Sequence, residues 1–431
     1  MSSSHGFWSS SRRSLLPVWM FSAWVLGVCL GASPAAAVKR QAFVTSVSGN
    51  GLISSWLDSG GQGSLAGADA ICRARATAGG LPNALTYRAW MSTAATDAYC
   101  HVQGLTGKKA TGCGGPFQPV GPWYQVGGIL PFTGSLTDLT GPEGVIFRGV
   151  HLDEFGAVPG PFDPTDYWTG TLRTGEVAAN TCSSWVVGTN GAQGVIGEGL
   201  ATAKEWTDYA PRACNTPRHL LCLEPGASEA PPATAWSPAA IVFVTSATGN
   251  GNLSSWPEAS GEEGIAAGDA VCRTLATAAH LPAPESFVAW LSDSSVDARD
   301  RITLDDVPYR RLDDQRIASS KADLLLFDGN TNSLHVDELG NYLTTGTLVY
   351  TATLFAGDYE GYSCLDWTTS AGVTNVFTGN ASRLRSGRWT AHAGVACIGE
   401  ERLYCFSNVV TLFWDGFDRT GDTSRWSSAA E

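Results

Sequence analysis

The sequence lacks the short motifs that mark common enzyme and metal sites. GxSxG, the P-loop glycine pattern and HExxH are all absent. Thiolate zinc sites favour gaps of about two to four residues between ligands, and neither CxxC nor HxxxH occurs. We therefore expect no catalytic residue, no metal and no cofactor, and we interpret the chain as a non-enzyme.

Charge is also scarce, and positive charge most of all. Charged residues make up 16 % of the 431 residues, with 27 Lys and Arg against 40 Asp and Glu, so the net charge is -13. Removing residues 1–37, which contain Arg12 and Arg13 but no acidic residue, makes it -15. An acidic protein is repelled by phosphate backbones, so nucleic acid is not an expected partner. Arg310, Arg311 and Arg316 lie among aspartates and are expected to form a solvated face.

Long apolar runs are missing except near the N-terminus. Residues 15–30 are apolar, follow Arg12 and Arg13, and precede the small residues 35–37. This pattern is typical of a signal peptide over residues 1–37. The paired arginines fit the twin-arginine route as well as the general secretory route. We expect a secreted, cell-surface or periplasmic protein without a membrane span in the mature chain.

What the sequence does have is a repeat. Phe43-Val44-Thr45-Ser46 reappears as Phe243-Val244-Thr245-Ser246, and Trp90 returns as Trp290, both at an offset of 200. His151-Leu152-Asp153-Glu154 matches His335-Val336-Asp337-Glu338 at an offset of 184. A drifting offset indicates two copies of one domain with loops of unequal length. We predict a first domain over 38–224, a Pro/Ala-rich linker over 225–240, a second domain over 241–408 and a tail over 409–431.

Each copy is predicted to combine one helix with short strands. A β-branched strand opens the copy at 42–46 or 241–246. Apolar residues at helical spacing follow, which predicts helices from about 65 to 78 and from about 265 to 279. Gly-rich and Pro-rich turns separate the remaining short strands. The fold class expected from this pattern is α+β.

Ten cysteines remain once Cys29 leaves with the signal, an even number that suits an oxidised, exported protein. Four recur in both copies, and four cysteines permit three pairings, among which spacing does not choose. Two more lie in a Gly-rich insertion of the first copy, and we expect them to pair with each other. The ten cysteines are Cys72, Cys100, Cys113, Cys182, Cys214, Cys222, Cys272, Cys364, Cys397 and Cys405.

Several runs resemble endostatin, a domain with a C-type-lectin-like fold, and bacterial secreted domains of unknown function with the same pattern. The runs are Gly268-Asp269-Ala270-Val271-Cys272, Phe287-Val288-Ala289-Trp290-Leu291-Ser292, Ser363-Cys364 with Trp367, and Leu403-Tyr404-Cys405. The resemblance covers nearly all of both copies. It implies two tandem lectin-like domains, each with a helix stapled by disulfides to a mixed, mostly antiparallel sheet.

The resemblance also implies a disulfide pairing and a departure from sugar-binding relatives. The implied pairs are Cys72–Cys222, Cys182–Cys214, Cys272–Cys405 and Cys364–Cys397, with Cys100–Cys113 as the local extra. Calcium-dependent C-type lectins carry Glu-Pro-Asn or Gln-Pro-Asp and Trp-Asn-Asp runs, and none occurs here. We therefore expect any binding to be independent of calcium.

Binding residues are sought on loops, where recognition residues concentrate. The candidates are copy-specific aromatics and a shared acidic pair that either binds a cation or ligand or forms a turn with exposed carboxylates. Trp56, Trp256, Trp185 and Trp367 recur in both copies and are expected in the core. The candidates are Trp123, Tyr124, Tyr359, Tyr362, Asp153, Glu154, Asp337 and Glu338.

The function expected from the sequence is non-catalytic recognition of a protein or glycan outside the cell. Two linked copies raise avidity when the target repeats. Two alternatives stay open: an enzyme with an unrecognised site on a lectin-like fold, and a structural, disulfide-rich surface protein. Neither the ligand nor the oligomeric state follows from the sequence.

Overall fold

The computed structural model describes residues 38–128, 130–159, 165–229, 236–385 and 387–412. The predicted signal (1–37), the middle of the predicted linker (230–235) and the tail from residue 413 lie outside the described residues. Within them the chain runs twice through the same order of strands, helices and turns. We refer to 38–229 as the first repeat and to 236–412 as the second repeat.

The first repeat is built on one mixed sheet. Its order is β4-β3-β1-β8-β5-β6-β7, and β2 also pairs with β8. The first and last strands of the repeat, β1 and β8, are antiparallel neighbours, with Phe43 opposite Cys222. The strands are β1 (Arg40–Val44), β2 (Arg88–Ala89), β3 (Trp123–Gln125), β4 (Pro131–Thr133), β5 (Asp166–Trp168), β6 (Gln193–Glu198), β7 (Ala210–Ala213) and β8 (His219–Leu223).

The second repeat has the same arrangement, but its strands form two separate sheets, with the orders β10-β16-β9-β11-β12 and β13-β14-β15. Its opening and closing strands, β9 and β16, are again antiparallel neighbours, with Phe243 opposite Cys405. The strands are β9 (Ala240–Val244), β10 (Phe287–Ala289), β11 (Tyr309–Arg310), β12 (Arg316–Ala318), β13 (Leu348–Tyr350), β14 (Asn375–Asn380), β15 (Ala393–Ala396) and β16 (Tyr404–Ser407).

One long helix packs on the sheet of each repeat, close to the predicted bounds. Helix α1 buries Ala68, Ile71 and Cys72, which lie at helical spacing. Asp69 of α1 accepts a hydrogen bond from the Ala89 amide of β2 at 3.0 Å, which ties the helix to the sheet. The helices are α1 (Ser64–Ala78), α2 (Ala98–His101), α3 (Leu136–Thr140), α4 (Gly264–Ala278), α5 (Ala298–Arg301) and α6 (Lys321–Leu324).

Five disulfides link these elements, and they are the pairs that the resemblance implies. In each repeat one bridge joins the long helix to the last strand, and a second joins the turn before β6 or β14 to the residue after β7 or β15. Cys100–Cys113 is local to the first repeat. The other bridges are Cys72–Cys222, Cys182–Cys214, Cys272–Cys405 and Cys364–Cys397.

The repeated Gly-Asn-Gly run has a packing reason beside the second bridge. A Cβ placed on Gly51 would lie 2.5 Å from Cys182 Sγ, and one on Gly251 would lie 2.4 Å from Cys364 Sγ. Only glycine leaves the loop this close to the disulfide. The shared tryptophans Trp56 and Trp256 are buried, as expected.

The described residues of both repeats belong to one compact unit with a buried polar interface. Arg383 of the second repeat is paired with Glu198 and Glu205 of the first, and its guanidinium lies over the Tyr209 ring at 4.7 Å. Thr202 N donates to Ser382 O at 2.8 Å. The predicted separate domains therefore share a large contact that the sequence did not indicate.

The arginines expected on a solvated face belong partly to this interface. The Arg311 side chain is fully buried. It binds both carboxylate oxygens of Asp313 and donates to Phe147 O of the first repeat at 2.9 Å. The expected solvent exposure was wrong for Arg311. Its guanidinium is buried because the Asp313 carboxylate and the carbonyls of Ser333 and Phe147 accept its hydrogen bonds.

The longest helices among the described residues have 15 residues each, and none of the helices there is long and apolar enough to span a membrane.

Candidate functional site

Two predicted binding aromatics are part of the core. Trp123 is fully buried, and its indole N–H donates to Glu224 O at 2.8 Å. Tyr124 is 1 % exposed, and both residues belong to β3, which pairs with β1. Their proposed role as exposed binding residues is thereby corrected. The second repeat carries the buried Tyr309 opposite Ala240, the position equivalent to Trp123 opposite Arg40 in the first repeat.

The carboxylates of the shared acidic turns are also buried, and they accept hydrogen bonds from backbone amides. Asp153 Oδ1 accepts from the amides of Phe155 and Ala157, each at 2.9 Å. Glu154 accepts from the Ser46 amide at 2.9 Å and from Arg75 at 2.7 Å. These carboxylates fix a turn against the first strand, so the expectation of exposed carboxylates was wrong.

The second repeat repeats this construction at Asp337 and Glu338. Asp337 Oδ1 accepts from the amides of Leu339 and Asn341, at 2.9 and 2.8 Å. Glu338 accepts from the Ser246 amide at 2.9 Å. Burial raises the pKa of Glu338, and the hydrogen bonds from Ser246 partly oppose that rise. Among the described residues no group of His, Cys, Asp and Glu is placed to hold a metal ion.

Tyr359 and Tyr362, by contrast, line a surface pocket of about 380 Å³ in the second repeat. Tyr362 is 61 % exposed, and two further apolar side chains at the pocket are open to solvent, Leu365 at 68 % and Val373 at 93 %. The Tyr359 hydroxyl is hydrogen-bonded to Ser363 Oγ at 3.0 Å. We call this set, Tyr359, Tyr362, Leu365, Asp366 and Val373, the tyrosine pocket.

The wall of the tyrosine pocket is a left-handed turn. Cys364, Leu365, Asp366 and Trp367 have φ of +54°, +52°, +50° and +67°. Left-handed backbone costs residues other than glycine roughly 1–2 kcal/mol each. Strain of this kind persists only where surrounding structure holds it, and it clusters at functional sites.

Three contacts hold the left-handed turn. The Cys364–Cys397 bridge joins its first residue to the chain beyond β15. Ser363 Oγ accepts from the Asp366 amide at 3.1 Å. The buried Trp367 indole donates to Ser292 O at 3.0 Å. The turn is therefore rigid, and it presents Leu365 outward at a fixed position.

The Asp366 carboxylate is held by a network of internal hydrogen bonds. Its oxygens accept from the Ser294 amide at 3.0 Å, from the Ser294 hydroxyl at 2.6 Å and from the Ser363 hydroxyl at 2.8 Å. These hydrogen bonds, those from Ser294 first, lower the pKa of Asp366. The carboxylate thus ties the turn to a neighbouring loop. The pocket offers a ligand the apolar surface of Leu365 and Val373 beside the exposed polar side chains of Ser294 and Asn375.

The first repeat has the same turn with different side chains. Cys182, Ser183, Ser184 and Trp185 also have positive φ, between +47° and +69°. At the offset of 182 that relates Cys182 to Cys364, Ser183 stands in place of Leu365. By the same offset Asn180 replaces Tyr362 and Gly191 replaces Val373. The scaffold is common to both repeats, and the exposed apolar side chains are specific to the second.

Sequence reasoning found Tyr359 and Tyr362 but missed Leu365 and Val373. An apolar residue beside a repeated cysteine and tryptophan suggests core, and only the left-handed backbone turns Leu365 outward. The signal was present in the two copies, since a position that is serine in one and leucine in the other is not fixed by packing.

No family model matches the chain, and no curated protein matches it.

Proposed function

We propose that the protein is an exported, non-catalytic binding module made of two C-type-lectin-like domains, and that it recognises a protein through the tyrosine pocket. The observation that carries this proposal is the exposure of Tyr362, Leu365 and Val373 around one pocket on a rigid turn. Exposed apolar side chains that cluster are typical of protein recognition sites.

The disulfide framework supports export. Five bridges suit an oxidising compartment outside the cytosol. The N-terminal pattern over 1–37 supports the same proposal from the sequence.

Protein recognition is favoured over glycan recognition by the chemistry of the pocket. Tyr362, Leu365 and Val373 offer exposed apolar surface, and the Asp366 carboxylate is occupied by internal hydrogen bonds. The calcium-binding runs of sugar-binding C-type lectins are missing from the sequence. We therefore propose calcium-independent binding.

The repeats themselves supply the test variant. Tyr362→Asn combined with Leu365→Ser installs the residues of the first repeat, where the same left-handed turn forms with serine. The matched control is Leu85→Ser, since Leu85 is 78 % exposed and lies far from the tyrosine pocket in the sequence. Both variants are expected to fold as the wild type does.

Wild type and variants would be applied to protein and glycan arrays with and without EDTA. We expect EDTA-insensitive protein binding that falls at least about tenfold in the double variant and not in Leu85→Ser. Unchanged binding by the double variant, or glycan binding abolished by EDTA, would contradict the proposal. Turnover in an unbiased substrate screen would contradict its non-catalytic part.

A further inference from the structure

The sheet of each repeat ends in a strand with one unpaired side. In the second repeat this strand is β15, which pairs with β14, and no strand of the described residues pairs with its other side. The equivalent strand of the first repeat is β7, which pairs with β6 in the same way. Unpaired edges are templates for a further strand unless they are protected.

The register fixes which groups of β15 point outward. Cys397 N donates to Thr374 O at 2.9 Å, so residue 397 faces β14. Backbone groups alternate between the two sides of an antiparallel strand. Gly394 therefore directs its N–H and C=O away from β14, and Ala396 its N–H, while the Ala396 C=O accepts from the Gly399 amide at 3.0 Å. Gly394 is exposed, and a Cβ placed on it would meet nothing within 4 Å.

The first repeat blocks the same edge. Cys214 N donates to Ala192 O at 2.9 Å, so the alternation is identical and Pro211 holds the outward position that Gly394 holds in the second repeat. Proline has no N–H to offer a neighbouring strand. Arg212 adds a charge beside it. Proline and charge are two ways in which natural edge strands resist pairing.

The open edge and the tyrosine pocket lie on opposite sides of β14, because Val376 pairs with Val395 of β15 on one side and with Ser363 of the pocket on the other. Ala396, at the end of β15, is opposite Asn375, and Asn375 lines that pocket. Ile398 is 64 % exposed just beyond β15. A strand laid along β15 would thus end beside the exposed Ile398. The strand Ala393-Gly394-Val395-Ala396 itself carries no charge.

We propose that β15 receives an extended segment of a partner polypeptide by strand addition, at a site separate from the tyrosine pocket. This inference goes beyond the proposed function and adds a second contact for a polypeptide partner. Backbone donors and acceptors in a row select an extended peptide. A second copy of this chain is disfavoured because each copy carries a net charge of -13.

The deciding variants are Gly394→Pro and Gly394→Ala in the full chain. Gly394→Pro removes the outward N–H and copies the residue that the first repeat carries at this position, so the fold is expected to persist. Gly394→Ala keeps the N–H and places its Cβ in open space. The probe is a labelled synthetic peptide of about ten alternating valines and threonines with a lysine at each end, measured by fluorescence anisotropy.

We expect the wild type and Gly394→Ala to bind this peptide alike, and Gly394→Pro to bind at least about tenfold more weakly, since one main-chain hydrogen bond and the approach of the strand are lost. Amide exchange at Gly394 should slow when the peptide is added. Equal affinities of the proline and alanine variants, or no binding by the wild type, would overturn strand addition. A dimer that Gly394→Pro dissolves in sedimentation runs would overturn the choice of partner.

The Tyr362→Asn/Leu365→Ser variant separates this inference from the proposed function. Peptide binding that depends on the pocket residues but not on Gly394 would refute strand addition alone. Binding to the protein array that depends on Gly394 but not on the pocket residues would refute the pocket and leave the edge in place.

Discussion

Replacing Arg383 by methionine is expected to be the most damaging single change at the interface between the repeats. The Arg383 side chain is 1 % exposed, and it is paired with two carboxylates, Glu198 at 3 % exposure and Glu205 at 13 %. Burial alone lowers the pKa of Arg383, but the two carboxylates outweigh burial and leave the pKa raised. The arginine is therefore held charged.

Methionine fills a similar volume but leaves both carboxylates without a cation. Removing one partner of a buried ion pair costs about 3–5 kcal/mol, because the remaining charge stays desolvated. A domain has a net stability of about 5–15 kcal/mol, so this loss is a large fraction of it.

Urea unfolding followed by tryptophan fluorescence measures this loss. The control is Arg299→Met, whose side chain is 37 % exposed and bound to Asp297 and Asp358 at the surface. Exposed pairs contribute less than about 1 kcal/mol. A loss for Arg383→Met no greater than that of the control would refute the interface argument. A second transition in Arg383→Met alone would show the repeats separating.

Three further outcomes follow from the strained turn, the buried histidines and the disulfides. Leu365→Gly should be more stable to urea than Leu365→Ala by about 0.5–1 kcal/mol, since glycine adopts positive φ freely; equal stability would contradict the strain. Burial first, and then neighbouring arginines, lower the pKa of His151 to about 4 in the folded protein. The unfolded imidazole takes up a proton below about pH 6.5, so the folded state should lose stability as the pH falls below that value. His151→Gln should lessen the loss between about pH 7.5 and 5 by about 2 kcal/mol, and an unchanged pH profile would contradict this. Removing the Cys72–Cys222 bridge, with a sequence separation of 150, should lower the free energy of unfolding by about 5 kcal/mol, and removing Cys100–Cys113, with a separation of 13, by about 3 kcal/mol. Thermal unfolding measures both losses, and the reverse order would contradict the chain-entropy argument.

Local patterns gave the sequence analysis its successes. Helical spacing predicted α1 and α4 to within a residue or so, because an amphipathic period is written in neighbouring residues. The drifting offset predicted the repeated order of elements. The even number of cysteines agrees with the five bridges, although the residues alone left three pairings open for the four shared cysteines.

The errors concern burial. Trp123 was expected on a loop surface, yet β3 pairs with β1 and takes it into the core. Asp153 was expected in an exposed turn, yet it is buried and accepts hydrogen bonds from two backbone amides of that turn. Such errors arise because exposure is decided by segments that are distant in the sequence.

A duplicated, cysteine-bridged α+β protein could be predicted from the amino acids, because periodicity, turn residues and cysteine parity are properties of neighbouring residues or simple counts. Three features appear only in the folded chain: Arg383 is buried between the repeats, Leu365 points outward from a left-handed turn, and Gly394 lies on an open edge while Pro211 closes the other. Each depends on which distant segments meet, since partners for a charge, support for a strained turn and a neighbour for a strand are supplied only when the chain has folded.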